Sequence, residues 1–318
     1  MMIPIPHVMR GWEKPEDIPG VYKFTNEEIN QLKLAIDSFS RLLRELHNIR
    51  TVRRQWIKEP FDGSGILDVP TSVIKSCQSL DISPYQRRKE ILLSRKALKL
   101  AVVLDDTASL FHTGLVSYYI VVICSIVKVL APRCSRIYLA TIADRKIYEI
   151  RDYQHFESVV LREIAFDGLT ERYNEAIQGL ISLGFLRGEE IKILINVTDG
   201  FVEAYKCGRC GLDLRNHRLR YTKCGAYSHH ICTSNIKKIE SIIQETKEIW
   251  TKLRGVHKLW IQIVDSDYGV IRFERDYGKD FAEALRKNNE LIMPYVEDVR
   301  NGKTAHQIVQ WFKIHNLI

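Results

Sequence analysis

The stretch "LKLAVVLDDTASLFHTG", residues 98–114, opens as a buried strand and then places Asp105, Asp106, Thr107 and Ser109 together. The run 99–104, apolar after Lys99, suits a strand covered on both faces, the usual state of a parallel sheet. A loop needing only solubility has no use for oxygen donors spaced so closely. In Asp-x-Thr-x-Ser the alternate spacing turns Asp105, Thr107 and Ser109 toward one point as the chain leaves the strand. Hard oxygen donors of this kind suit Mg²⁺ or Mn²⁺, which take about six such ligands and keep some water.

Outward from this strand, apolar strands and helices alternate. Helical segments are expected at 113–130, at "FESVVLREI", at "ERYNEAIQGLISLG", at 233–253, at 279–288 and at "KTAHQIVQWFKIH". Strands are expected at 136–143, 146–150, 191–197 and 258–264. That alternation predicts an α/β fold, a doubly wound, mostly parallel sheet of Rossmann-like type with helices on both faces. The segment 115–131, "LVSYYIVVICSIVKVLA", has one charge, Lys128, and falls short of the roughly 20 residues that span a bilayer. It reads as a buried core helix, with no membrane partner.

In such sheets ligands bind beyond the carboxyl ends of the strands. Three loops meet that description: 105–109, then "FDGLTERYNEAI" with Thr170 just before a helix, then "INVTDG" with Thr198 and Asp199. Any one of these residues would more simply cap a helix or close a turn. Their joint placement at successive strand ends is what points to an ion.

This pattern resembles the von Willebrand factor A domain and its metal-ion-dependent adhesion site. The matching positions are Asp105, Thr107, Ser109, Thr170 and Asp199. Thr107 stands where the family usually has Ser, which keeps the hydroxyl, and Ala108 replaces a usual Gly. The resemblance covers about 97–206 and 233–318. It implies Mg²⁺ or Mn²⁺ held directly by hydroxyls, with the carboxylates acting largely through water. It also implies an open position for an acidic residue of a protein partner. The segment before the strand, "GSGILDVPTSVIKSCQSLDISPYQRRKE", is similar to the basic segment of intracellular relatives, which include the cobalt-chelatase subunit and proteins partnered with MoxR-type AAA+ ATPases.

Upstream, residues 1–95 read as an N-terminal arm and helical extension, and 96–318 as the α/β domain. Thr25 and Glu28 form a capping box, Thr-x-x-Glu, at a helix start. Ile29, Leu32, Ile36, Phe39, Leu43 and Leu46 then recur at spacings of 3 and 4, a stripe expected to pack against the body of the same chain. That helix is expected to run on and stop before Pro60, with a second helical piece over 70–95.

The α/β domain is interrupted by a cysteine cluster at 207–232. Cys207-x2-Cys210 followed by Cys224, His229 and Cys232 has the spacing of a tetrahedral structural zinc site. Its second half resembles part of a RING or treble-clef finger. That resemblance implies ligands Cys207, Cys210, His229 and Cys232, and Cys224 in place of His229 is the open alternative. Four ligands leave no coordination position for catalysis.

The chain of 318 residues carries a net charge of +8, concentrated where Lys206, Arg209, Arg215, Arg218, Arg220 and Lys223 face Asp213 alone within 205–224. Arg209, Arg215, Arg218 and Arg220 are therefore candidate contacts to phosphate or to an acidic partner. The first 20 residues lack a signal-type apolar core, and the cysteine pattern is not that of a secreted scaffold. The expectation is a cytoplasmic protein with reduced thiols. No phosphate-binding Gly-rich loop and no Gly-x-Ser-x-Gly elbow occurs, so the chain reads as a binding module and not an enzyme. Two functions follow as expectations. One is a Mg²⁺-dependent protein-interaction module, as an adaptor of an AAA+ ATPase. The other is a nucleic-acid-associated protein whose basic zinc lobe contacts phosphate.

Overall fold

A computed structural model describes residues 2–10, 22–47, 54–60, 66–67, 86–92, 97–167, 172–198 and 229–317. The chain divides into two units, Met1–His47 with Ala97–Leu317, and Asn48–Lys96.

The larger unit is a mixed α/β fold. Its helices and strands, in chain order, begin with α1 (Asn26–His47) and β4 (Leu98–Leu104), then α2 (Ser109–His112) and α3 (Val116–Leu130). There follow β5 (Cys134–Thr141), β6 (Ile147–Ile150), α4 (Tyr153–Ser158), α5 (Tyr173–Ser182) and β7 (Ile191–Thr198). The unit closes with α6 (His229–Lys252), β8 (Val256–Gln262), α7 (Asp267–Tyr277), α8 (Lys279–Lys287), β9 (Leu291–Ile292), α9 (Val296–Arg300) and α10 (Lys303–Ile314). Six strands form one sheet in the order β6-β5-β4-β7-β8-β9. Only the β5–β6 pair is antiparallel; the other pairings run parallel.

β4 lies inside the sheet, and every one of its seven residues is buried. Alternate side chains explain this. Ala101 and Val103 join an aromatic cluster with Tyr173, Trp250, Trp260, Phe273 and Tyr277 beneath α5, α6 and α7. The apolar segment 116–130 is the buried core helix that its sequence suggested, not a surface element. α1 packs on α3 and α10: Ser125 Oγ donates to the Ile36 carbonyl at 3.1 Å, and Lys128 pairs with Asp37. Its stripe, Ile29, Leu32, Ile36, Phe39 and Leu43, is buried. The capping box forms as read, with Thr25 N donating to Glu28 Oε2 at 2.8 Å and Glu28 N to Thr25 Oγ1 at 3.3 Å.

Residues 2–10 of the N-terminal arm dock on the rest of the larger unit. Ile3, Ile5 and Val8 are buried, Ile3 N donates to Arg300 O at 2.8 Å, and Arg10 N donates to Phe111 O at 3.0 Å. The arm passes so close to Gly114, whose φ is +70°, that a β-carbon there would lie 2.5 Å from the His7 ring. Glycine supplies both the turn conformation and the clearance.

The smaller unit corrects the helical expectation. Strands β1 (Arg54–Pro60), β2 (Ile66–Leu67) and β3 (Gln86–Leu92) form an antiparallel sheet in the order β1-β3-β2. The helix ends at His47 and does not continue to Pro60, and a strand occupies 86–92 within the segment read as helical. Arg, Lys, Glu and Leu favour helices intrinsically, but pairing with a distant strand overrides that preference.

Candidate metal site at the sheet's carboxyl edge

At the end of β4 the chain stays buried while its chemistry changes. Asp105, Asp106 and Thr107 are fully buried, and Ser109 is 4% exposed. The sheet ladder extends one step into this loop, with Asp105 N donating to Val197 O at 3.0 Å. Asp105 Oδ1 then accepts from Thr107 N at 2.9 Å and from Thr107 Oγ1 at 2.6 Å, an Asx turn closed twice. Thr107 Oγ1 lies 2.8 Å from Ser109 Oγ. The Asp-x-Thr-x-Ser spacing therefore brings its three oxygen-bearing side chains to one point.

A second strand end joins them. Thr198, the last residue of β7, donates from Oγ1 to Asp105 Oδ2 at 3.1 Å, and the Tyr173 hydroxyl donates to Thr198 Oγ1. Tyr173 was not singled out in the sequence, and Thr198 was read there only as part of the strand-end loop, outside the ligand set. The one signal for Thr198 was its place immediately before Asp199.

The neighbouring carboxylate behaves differently. Asp106 Oδ1 accepts from Ala143 N at 2.7 Å and Oδ2 from Asp144 N at 3.1 Å, so both oxygens face backbone donors across the β5–β6 turn. Burial pushes its carboxyl up to about 6; the two backbone N–H groups pull it down, and the charges of Asp105 and Asp144 raise it further. Of the two adjacent aspartates, Asp105 is the one grouped with the hydroxyls.

These donors fit a small hard cation. Adjacent oxygens around an octahedral ion at about 2.1 Å stand about 3.0 Å apart. The separations of 2.6 and 2.8 Å between Thr107 Oγ1 and its neighbours need open by only a few tenths of an ångström. Among the described residues no three His, Cys, Asp or Glu side chains gather into a metal-holding group. The set at 105–109 is of another kind, one carboxylate with two hydroxyls.

His112, close to the loop in sequence, has a structural role. Its Nε2 meets the Tyr22 hydroxyl at 3.3 Å and its Nδ1 meets Arg10 O at 3.3 Å, so it anchors the segments around the N-terminal arm. Thr170 and Asp199 lie outside the described residues, as do Cys207, Cys210, Cys224, Arg209, Arg215, Arg218 and Arg220. His229 and Cys232 fall in the first turn of α6 by backbone position. Cys124 and Cys134 are free thiols; burial raises both, Cys134 to about 12, which keeps them protonated and inert.

No family model and no curated protein matches this chain. Among solved structures it is similar to proximal thread matrix protein 1 from the mussel byssus, at a TM-score of 0.37 and 11% identity. That alignment covers 68% of this chain and 48% of the other, so the chain spans about half the length of the structure it matches. A likeness of that size informs neither family nor function.

Proposed function

We propose that the chain is a von Willebrand factor A-like interaction module that holds Mg²⁺ at the carboxyl edge of its sheet and grips a carboxylate of a protein partner through it. The observation that carries the proposal is the convergence of Asp105, Thr107 and Ser109 within hydrogen-bond distance at the end of an interior strand. Thr198 supports it by tying the end of β7 to the Asp105 carboxylate. Thr170 and Asp199 complete the proposed ligand set. When bound, the ion would supply a positive charge with a coordination position for an outside oxygen. Asp105 orients the Thr107 hydroxyl through its Oδ1, and Thr107 in turn meets the Ser109 hydroxyl. The partner class that the sequence resemblance suggests is an AAA+ ATPase.

Cys207, Cys210, Cys232 and either His229 or Cys224 are proposed to hold one structural Zn²⁺. Elemental analysis of purified protein is expected to find one zinc per chain, lost on Cys210→Ser substitution.

The test of function is capture of partners from host lysate with Mg²⁺ and with EDTA, using Thr170→Ala as control. The reading requires a partner that is retained only with Mg²⁺ and only by the unsubstituted chain. Binding that persists in EDTA and fails when Arg215, Arg218 and Arg220 are neutralised would favour a nucleic-acid role instead, with the steep salt dependence of phosphate contacts.

A further inference from the structure

The sequence pattern assigns no task to Asp106, yet this buried carboxylate closes a hydrogen-bonded ring around the candidate site. Its two oxygens hold Ala143 N and Asp144 N in the β5–β6 turn. The same turn is fixed from the strand side, where Ile142 N donates to Leu104 O at 3.2 Å. In turn, Ile142 O accepts from Arg172 N at 3.2 Å, immediately before α5. Arg145 of the turn and Arg172 both pair with Glu175 in the first turn of α5, at 3.2 and 2.8 Å. The first residue of α5, Tyr173, donates its hydroxyl to Thr198, and Thr198 donates to Asp105 Oδ2. The path that leaves the metal loop at Asp106 thus returns to it at Asp105.

We propose that Asp106 is a positioning residue: by clamping the β5–β6 turn it sets the start of α5, and through Tyr173 and Thr198 it fixes the carboxylate of Asp105 for ion binding. The inference rests on the proposed metal reading and deepens it. With both oxygens engaged by backbone donors, Asp106 is not a competing ligand. Second-layer partners of this sort orient the groups that touch the metal, and their loss commonly costs 10–100-fold in metal affinity.

The ring has two ends that can be cut separately. Asp106→Ala removes the clamp on the turn. Tyr173→Phe leaves the turn and removes only the hydroxyl that reaches Thr198. Asp106→Asn keeps one acceptor oxygen and turns an amide N–H₂ toward one of the two backbone donors. The experiment combines amide hydrogen exchange without metal and Mn²⁺ titration of the full chain, followed by electron paramagnetic resonance.

In Asp106→Ala, exchange at Ala143, Asp144 and Arg172 is expected to speed up at least about tenfold, while amides of α10 keep their protection. Mn²⁺ affinity is expected to fall by about tenfold or more. Asp106→Asn should fall between the two proteins in both measurements. The double variant Asp106→Ala/Tyr173→Phe should bind little worse than the weaker single variant, because both substitutions break one ring. Unchanged exchange at Arg172, unchanged Mn²⁺ affinity in Asp106→Ala, or full additivity would each overturn the proposal. Wild-type protein that takes up no Mn²⁺ would overturn the metal reading, and the exchange data would still decide whether Asp106 couples the turn to α5.

Discussion

The two ends of the parallel sheet bury charge in opposite ways. At the amino edge, Lys99 and Lys258 are nearly fully buried, and each is answered by a carbonyl and a carboxylate. Lys99 Nζ donates to Arg187 O and lies 3.6 Å from Glu190; Lys258 Nζ donates to Trp250 O at 2.8 Å and lies 3.3 Å from Glu290. At the carboxyl edge, Asp105 and Asp106 meet hydroxyls and backbone N–H groups, with Asp144 adding further negative charge beside Asp106. The amino edge is closed electrostatically and serves stability. The carboxyl edge gathers negative charge and lone pairs where the fold offers polar donors, an arrangement that a divalent cation complements.

That contrast can be broken at either end, and the largest effect on folding is expected at the amino edge. Lys258→Met leaves the Glu290 carboxylate, only 14% exposed, with Trp250 Nε1 at 2.9 Å as its remaining side-chain donor among the described residues. Removing one partner of a buried ion pair costs about 3 kcal/mol, so urea denaturation should show a loss of that order with Mn²⁺ binding intact. A loss below about 0.5 kcal/mol would mean that the amino edge is not closed by this pair.

Thr107→Val acts at the other end. It removes the hydroxyl between Asp105 and Ser109 and should cost about 1–2 kcal/mol in metal-free protein. The sharper signature is in ligand linkage. Saturating Mg²⁺ should raise the melting temperature of the wild type, by a stabilisation of about 2.7 kcal/mol at a hundredfold excess over the dissociation constant, and should not move the variant. Equal shifts in both proteins would remove Thr107 from the ligand set.

A smaller effect is expected from a histidine pair back at the amino edge. His257, at the start of β8, and His315, at the end of α10, meet through Nδ1 atoms 3.0 Å apart. Burial holds both below the usual histidine value of 6.5, and the charge of His257 lowers His315 further. Their folded values lie below the unfolded one, so this stability is complete above pH 6.5. It is lost as pH falls from there toward the folded values, because the unfolded chain binds protons first. Stability measured at pH 7.5 and 5.5 should therefore drop in the wild type and drop less in His315→Phe; identical drops would exclude the pair.

The smallest effect belongs to the exposed Arg145–Glu175 pair at 3.2 Å. Arg145→Ala should change stability by no more than about 0.5 kcal/mol, since water and salt screen such contacts.

Much of the sheet and one loop of the candidate site were legible in the sequence, for physical reasons. β4, β5 and β7 announce themselves because a strand covered on both faces must be apolar along its length. The loop 105–109 was legible because side chains that share one point must be spaced regularly along a single segment. What the sequence hid depends on distant partners. Strands 54–60 and 86–92 carry helix-forming Arg, Lys and Glu and become strands only by pairing with each other. α7 was missed because "DYGVIRFERDY" contains Gly and aromatic residues that favour helices weakly, and burial of Phe273 and Tyr277 against Trp260 compensates. The Thr198 bond to Asp105 and the entry of Tyr173 depend on contacts between β7, α5 and the 105–109 loop, which no local pattern encodes.

The most direct test is a crystal of the full chain soaked in Mn²⁺ and measured for anomalous scattering at the manganese edge. A single peak about 2.1–2.2 Å from both Thr107 Oγ1 and Ser109 Oγ is the expected result. No peak at the 105–109 loop under saturating Mn²⁺, with the loop ordered and the Thr107 hydroxyl still bonded to Asp105, would contradict it.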